Sequence, residues 1–205
     1  METVLLDQPL EEMLRIDEQI TPFKARLNVR MMHLFRIYEV DSSCTDFGIE
    51  ISGNIIIELA STIHEHRNYK LYFDNWFSSI SLAKQLQDKG IWCVGTIWEN
   101  RIPNPPLKTD QELKKEGRGT HSCAVDSNSG IVISNWFDNR VINFISTYAA
   151  VEPNGTCKIW SAKDKKHIQI PRPEVVSQYN KFMGRVDLAD IIIELYCISM
   201  KSKRD

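Results

Sequence analysis

The stretch from residue 70 to residue 98, "KLYFDNWFSSISLAKQLQDKGIWCVGTIW", constrains the fold more than any other part of the chain. Its first residues, 70 to 74, form an apolar and aromatic run that predicts a strand. Residues 79 to 89 start with a capping serine, repeat apolar residues on one helical face and stop at Gly90, which predicts a helix. Residues 91 to 97 are apolar and β-rich, as in a strand buried on both faces. A strand, a helix and a strand in so few residues predict two parallel strands joined by a right-handed crossover.

Asp74 interrupts the first of these strands, because Leu71, Tyr72 and Phe73 precede it and Trp76 follows. A carboxylate among aromatic side chains is costly to desolvate unless a partner compensates it or it faces a cleft. The carboxyl end of a parallel strand is where α/β sheets place their sites. Asp74 is therefore the first candidate site residue.

The N-terminal half contains three weaker patterns. Residues 14 to 23 predict a short extended segment, and residues 34 to 40 alternate as in a strand. Residues 54 to 64 carry apolar residues at helical spacing, with Asn54 as the predicted cap. The pattern as a whole indicates an α/β protein.

The C-terminal half changes in character. Residues 101 to 171 begin with a Pro-, Gly- and charge-rich connection with one short helix, and continue with alternating segments around a turn at residues 138 and 139. This block predicts an antiparallel β insertion within one α/β domain that spans residues 1 to 205. Residues 173 to 196 then predict a helix, with a kink at Gly184 left open.

The charge balance argues against a global nucleic-acid-binding field, because 25 Lys and Arg face 27 Asp and Glu, a formal charge of −2. Any DNA contact must therefore come from a local patch. The candidates are Arg101, Lys114, Lys115 and Arg118. Acidic residues interleave with them, so a salt-bridged surface helix is an equally good interpretation. The five tryptophans include candidates for base stacking, although most aromatic residues in such strands belong to the core.

The N-terminal segment, the lack of long apolar stretches and the cysteines argue against a secreted protein, a membrane protein and a zinc protein. The acidic N-terminal segment lacks the pattern of a signal peptide, and no apolar stretch is long enough for a membrane span. The five cysteines are scattered without a CxxC motif, which favours free thiols in a reducing compartment and predicts no zinc site.

Two further acids lie on the last predicted helix. Asp187 and Asp190 are three residues apart and therefore share one helical face. Together with a strand-end acid they match the ligands of a two-metal phosphoryl-transfer site, where Asp oxygens hold Mg²⁺ or Mn²⁺. Spacing alone favours a solvated helix face over this catalytic interpretation.

The motifs "KLYFDNWFSSISLAKQL", "YNKFMGRVDLAD" and "KSKR" resemble the piggyBac family of transposases and their domesticated derivatives. The resemblance implies a ribonuclease-H-like core with three catalytic Asp residues. It assigns the second to Asp74, the third to Asp187 and an auxiliary role to Asp190. It also implies Mg²⁺ or Mn²⁺ held by Asp74 and Asp187, DNA as a partner and a nuclear location, and it allows a homodimer.

The chain also departs from the family pattern. Relatives carry their first catalytic Asp in a strand and an Asp-Ser-x-Thr-Gly-like turn that follow a segment like "PFKAR", and we expect both to be missing here. Asp41 and Asp46 are possible substitutes, but their loop favours solvated turns. Relatives also continue beyond the "KSKRD" end, commonly into a zinc module. The sequence therefore predicts an inactive domain with at most weak binding of one metal ion.

Two alternatives stay open beside an inactive DNA- or protein-binding module. One is a residual metal-dependent nuclease. The other is a truncated gene model of a complete transposase.

Overall fold

The structure is a computed structural model that describes residues 13–16, 19–21, 29–31, 45–161 and 165–183. A six-stranded sheet dominates these residues, in the order β1-β4-β5-β8-β7-β6. Its strands are β1 (Met13–Ile16), β4 (Lys70–Phe73), β5 (Trp92–Thr96), β6 (His121–Val125), β7 (Val132–Phe137) and β8 (Val141–Ser146). Two smaller sheets pair β2 (Gln19–Thr21) with β3 (Val29–Met31), and β9 (Gly155–Ser161) with β10 (Lys166–Arg172).

The helices are α1 (Ile51–Ala60), α2 (Ile80–Asp88), α3 (Asp110–Glu116) and α4, the helical residues 174–183. A single 3-10 turn, Glu99–Arg101, follows β5. In the part of the chain that the structure describes, no helix has both the length and the apolar character needed to cross a bilayer.

The predicted strand, helix, strand unit is confirmed. β4 pairs with β5 in parallel, with Lys70 opposite Trp92 and Phe73 opposite Gly95, and α2 connects them. Ser79 caps α2 as predicted, because its Oγ accepts the Leu82 N–H at 3.1 Å. The unit forms where local sequence signals and burial agree.

Two helices cover one face of the main sheet. Leu71 and Phe73 of β4 point to this side, where they pack with the apolar residues of α1 and α2 in one buried cluster. Ile56 and Leu86 are fully buried at its centre. Burying a side chain of this size contributes about 1.5–3 kcal/mol, so this layer holds α1 and α2 against the sheet.

The opposite face is covered by α4 and the β9–β10 hairpin. Tyr72, which alternates with Leu71 and Phe73, lies here with Phe144 of β8. Val175 and Val176 of α4 and Ile170 of β10 complete this second cluster. The main sheet is therefore the middle layer of a three-layer arrangement.

The N-terminal predictions fare differently. The extended segment predicted at residues 14 to 23 contains β1 and β2, whereas the strand predicted at residues 34 to 40 lies outside the described residues. α1 lies three to four residues earlier than predicted, and its N-cap is Glu50. The prediction of Asn54 as the cap is therefore wrong.

Asn54 has another role, because it is buried inside α1. Its side-chain oxygen accepts the Phe47 N–H at 3.1 Å, and its amide donates to the Ile49 carbonyl at 3.2 Å. Asn bonds to backbone in loops as readily as at helix ends. Here Asn54 fixes the loop that precedes the helix.

The strands predicted between residues 101 and 171 are present. β7 and β8 form the predicted hairpin, and β9 pairs with β10 in antiparallel register. β6, β7 and β8 do not stand apart from the α/β frame, because β8 pairs with β5 and extends the main sheet. Only β9 and β10 form a separate sheet within this block.

Candidate carboxylate site at the end of the parallel strands

Asp74 directly follows β4, so it lies at the carboxyl end of a central parallel strand. Its side chain is half-buried, and its Oδ1 accepts the Trp76 N–H at 2.9 Å. Its backbone carbonyl accepts the Oγ–H of the fully buried Ser78 at 2.8 Å. The aromatic run thus ends in a tight turn that holds this carboxylate at the sheet edge.

Gly95 of β5 makes room for that turn. A Cβ at this position would come within 2.6 Å of the Ser78 Oγ and 2.8 Å of the Phe73 ring. Real Cβ contacts are not this short, so any larger residue would push the turn away from the sheet. The glycine therefore sets the position of Asp74 indirectly, through its neighbours.

Arg101 ties the Asp74 turn to the rest of the molecule. Its Nη1 donates to the backbone carbonyls of Asn75, Trp76 and Ser78 at 3.1, 2.9 and 2.9 Å. Its Nη2 pairs with Glu50 Oε2 at 2.7 Å, next to the start of α1. A guanidinium has the fan of donors that such a cluster of acceptors needs.

The Arg101 guanidinium also lies 4.6 Å from the centre of the Trp98 ring, and only 17% of its side chain is exposed. The sequence predicted Arg101 as a contact of the DNA backbone. The structure shows its guanidinium bound to carbonyls and Glu50 of the same chain, as a clamp on the candidate site, and its role as a DNA contact stays a prediction. Sequence reasoning missed this role because a basic residue after a strand signals nothing about the carbonyls it will meet.

Burial raises the pKa of the Asp74 carboxyl above its ordinary value of 3.8. The Trp76 and Phe77 N–H groups and the Arg101 charge act in the opposite direction, and their combined effect is smaller. A half-buried acid with a raised pKa at a sheet edge is typical of a functional site. A divalent cation would relieve the cost of its charge, so Asp74 fits the role of a metal ligand.

In the part of the chain that the structure describes, Asp74 does not belong to a ready-made cluster of metal ligands. Across residues 13–16, 19–21, 29–31, 45–161 and 165–183, no three His, Cys, Asp or Glu side chains are grouped so that they could hold a metal. Asp187 and Asp190 lie outside the described residues. Asp46, weighed as a substitute, is exposed and accepts the Gly48 N–H at 2.8 Å, as in a solvated turn.

α4 leads toward the two late acids. Its Phe182 ring lies 4.8 Å from the ring of Tyr72, and its Met183 is buried. Tyr72 precedes Asp74 by two residues, and Phe182 precedes Asp187 by five. The described end of α4 therefore contacts β4 at this ring pair.

β1 supplies a feature that sequence reasoning missed. It lies beside β4 in parallel, with Ile16 opposite Phe73, and the next residue in the sequence is Asp17. The strand of the first acid is expected to be missing from this sequence, yet β1 lies parallel to β4 and the sequence continues from β1 into an acid. The signal was the repeated pattern, since "LRID" and "LYFD" each place Asp directly after a short extended segment.

The remaining candidate DNA contacts lie in α3 or just after it in the sequence. Lys114 and Lys115 are exposed, and Lys114 lies 3.7 Å from Asp110. Arg118 pairs closely with Asp138, and it also donates to the Trp160 carbonyl at 3.3 Å. As DNA contacts these residues stay predictions.

Comparison with known proteins gives a consistent result. The DDE transposase family model described as "Transposase IS4" matches residues 46–205. Human PiggyBac transposable element-derived protein 3 is 33% identical over 156 residues, which cover 75% of this chain and 26% of that protein. Human PiggyBac transposable element-derived protein 2 is 29% identical over 161 residues, which cover 78% of this chain and 27% of that protein. The chain thus spans about a quarter of the length of these relatives.

A solved structure shares the fold. It is the piggyBac transposase in a synaptic complex with hairpin DNA, and it matches with a TM-score of 0.64 at 21% identity. The match covers 95% of this chain and 42% of the other. The described architecture is therefore the ribonuclease-H-like DDE fold, as predicted. With the family match over most of its length, the chain belongs to the piggyBac-type DDE transposase family.

Proposed function

We propose that this chain carries the metal-binding centre of a DNA-processing core, at which Asp17, Asp74 and Asp187 hold divalent cations for phosphodiester chemistry. The observation that carries the proposal is the parallel register of β1 with β4, with Ile16 opposite Phe73. Each of these residues is followed directly by an Asp in the sequence. Adjacent parallel strands that both end in an acid supply two carboxylates at one edge of a sheet.

The chemistry of these side chains suits Mg²⁺ or Mn²⁺, because both prefer hard oxygen ligands. When bound, such ions activate a water or hydroxyl nucleophile and stabilise the leaving oxygen. The chain's own contribution is to hold Asp74 in place through Arg101 and the Trp76 N–H, and Asp190 is an auxiliary acid beside Asp187. No zinc is required by this proposal.

DNA as the substrate is supported by the relatives, since the matching solved structure holds hairpin DNA. A nuclear location and a homodimer follow from the same kinship and belong to the proposal. The predicted inactivity rests on a missing first acid, and in this proposal Asp17 takes the place of that acid. An inactive DNA-binding module is nevertheless a distinct outcome of the experiment below.

The experiment measures metal binding before activity. Mn²⁺ is titrated into the purified chain while the melting temperature is followed, for wild type and for Asp17→Asn, Asp74→Asn and Asp187→Asn. Asp88→Asn is the matched control, because Asp88 is exposed at the end of α2. We expect Mn²⁺ to raise the melting temperature of wild type and of the control. In the three site variants most of this increase should be lost. Equal stabilisation of Asp74→Asn and wild type would refute the site.

Activity is then measured as nicking of plasmid DNA with Mg²⁺ or Mn²⁺. We expect nicking that Asp74→Asn abolishes and Asp88→Asn preserves. DNA binding and metal binding without nicking would instead identify an inactive module, which the sequence predicts.

A further inference from the structure

The β9–β10 hairpin has one buried and one exposed face. Cys157, Ile159, Ile168 and Ile170 face the second buried cluster, below the hairpin. The side chains that alternate with them are all exposed: Thr156, Lys158, Trp160, His167, Gln169 and Pro171. Strand pairing sets Trp160 opposite His167 and Lys158 opposite Gln169, so these residues form one continuous outer face.

Trp160 is the prominent residue of this face, with 55% of its surface exposed. Its ring centroid lies 5.2 Å from that of His167 in an edge-on arrangement, so His167 supports one edge of the indole. The Trp160 backbone is fixed by Arg118, which donates to its carbonyl and pairs with Asp138. An exposed tryptophan held by its neighbours is a preorganised contact, because little rotamer freedom remains to be lost on binding.

The net charge of this hairpin is opposite in sign to that of the whole chain. Residues 155 to 172 contain five Lys and Arg and one Asp, a net charge of +4, whereas the whole chain carries −2. Lys158 lies on the outer face, and Lys165 and Lys166 are exposed at the hairpin's turn end. A basic surface around an exposed aromatic ring suits a partner with phosphates and flat, apolar rings.

We propose that the outer face of the β9–β10 hairpin binds single-stranded DNA, with Trp160 stacked on an unpaired base and Lys158 against the adjoining phosphates. Base stacking on aromatic side chains tolerates any sequence, and lysines add a salt-dependent attraction. A duplex hides its base faces, so it offers the phosphates but not the stacking. The hairpin would hold a strand end that has opened next to the DNA being processed.

This surface lies outside the carboxylate site, and it shares with the proposed function only the kind of partner. The two are tested separately because stacking needs no metal. Binding of a fluorescein-labelled oligothymidylate of about 12 nucleotides, a length within the usual site sizes, is measured by anisotropy in EDTA. If the oligothymidylate does not bind, the result of the Mn²⁺ titration still stands. If Mn²⁺ does not stabilise the chain, the result of the oligothymidylate measurement still stands.

The variants separate stacking from apolar contact and from charge. Trp160→Ala and Trp160→Leu should each weaken binding about tenfold, whereas Trp160→Phe should recover most of it, because only aromatic rings stack. Val125→Ala is the matched control, since Val125 is an exposed apolar residue of β6. Lys158→Gln should lower the slope of log affinity against log salt by about 0.7, and the control Lys84→Gln should leave it unchanged.

Three results would overturn the proposal. One is binding of the oligothymidylate that is unchanged by Trp160→Ala. Another is Trp160→Leu binding as well as Trp160→Phe, which identifies the face as an apolar protein-docking surface. An equal effect of Trp160→Ala on single-stranded and duplex DNA would likewise contradict stacking on an unpaired base.

Discussion

Replacing Arg101 with alanine tests how the Asp74 turn is held. Arg101 Nη1 carries two N–H groups and serves three carbonyls within 3.1 Å, so we count two charge-assisted hydrogen bonds. At about 1.5 kcal/mol each they contribute about 3 kcal/mol. The pair with the exposed Glu50 and the contact with Trp98 add about 0.5 kcal/mol each. Because the turn is only partly buried, water can bind the freed carbonyls in the variant and offset part of the lost free energy. We therefore expect Arg101→Ala to lower the free energy of unfolding by about 2–4 kcal/mol.

The assay is urea unfolding of the purified chain, followed by circular dichroism. Thermal unfolding is the second measurement, because a loss of about 3 kcal/mol lowers the melting temperature of a chain of this size by roughly 6–12 °C. Arg101→Lys should lose about half as much, because an ammonium cannot reach three carbonyls and Glu50 together. Arg67→Ala is the matched control, since Arg67 is exposed, and it should change stability by less than about 0.5 kcal/mol.

Arg101→Ala has a second signature at the site itself. The Arg101 charge lowers the pKa of Asp74, so its removal should raise that pKa further above 3.8, as carboxyl resonances in NMR would show. A loss of less than about 0.5 kcal/mol with an unchanged Asp74 pKa would refute the clamp and return Arg101 to the surface. In that case its predicted role as a DNA contact becomes the better account.

Three further predictions concern other parts of the molecule. Asp74→Asn should stabilise the metal-free chain at pH 7: a raised folded pKa means that the stability contributed by Asp74 is present below pH 3.8 and is lost as pH rises through the folded value. Chemical unfolding at pH 3.5 and pH 7 checks that the gain is confined to the higher pH. Gly95→Ala should cost about 1–3 kcal/mol in the same assay, because the new Cβ meets Ser78, and equal stability would contradict the close approach. Thr109→Ala should cost about 0.5–1 kcal/mol, since it removes the capping box with Glu112 at the start of α3, and an unchanged unfolding midpoint would exclude that role.

The parts of the fold that sequence predicted well are those with local causes. β4, α2 and β5 follow from apolar runs, a capping serine and a glycine stop within one short stretch. Asn54 was misread because its side chain serves a loop or a helix end equally well, and only the neighbours decide. The pairing of β8 with β5 joins distant parts of the chain, and no local pattern specifies it.

The candidate site likewise combines a feature with a local cause and a feature that depends on distant parts of the chain. Asp74 was recognisable because an acid interrupts an aromatic run, but the clamp of Arg101 depends on a fold that brings three carbonyls to one guanidinium.

The family resemblance implies a first acid after the segment "PFKAR", and we expect that acid to be missing here. The register of β1 with β4 aligns two strands in parallel, and the sequence continues each of them with an acid, Asp17 and Asp74. A single strand followed by one Asp is an ordinary sequence pattern. The proposed metal site rests on this parallel alignment, and alignment between strands is a property of the folded sheet that neither strand's own sequence specifies.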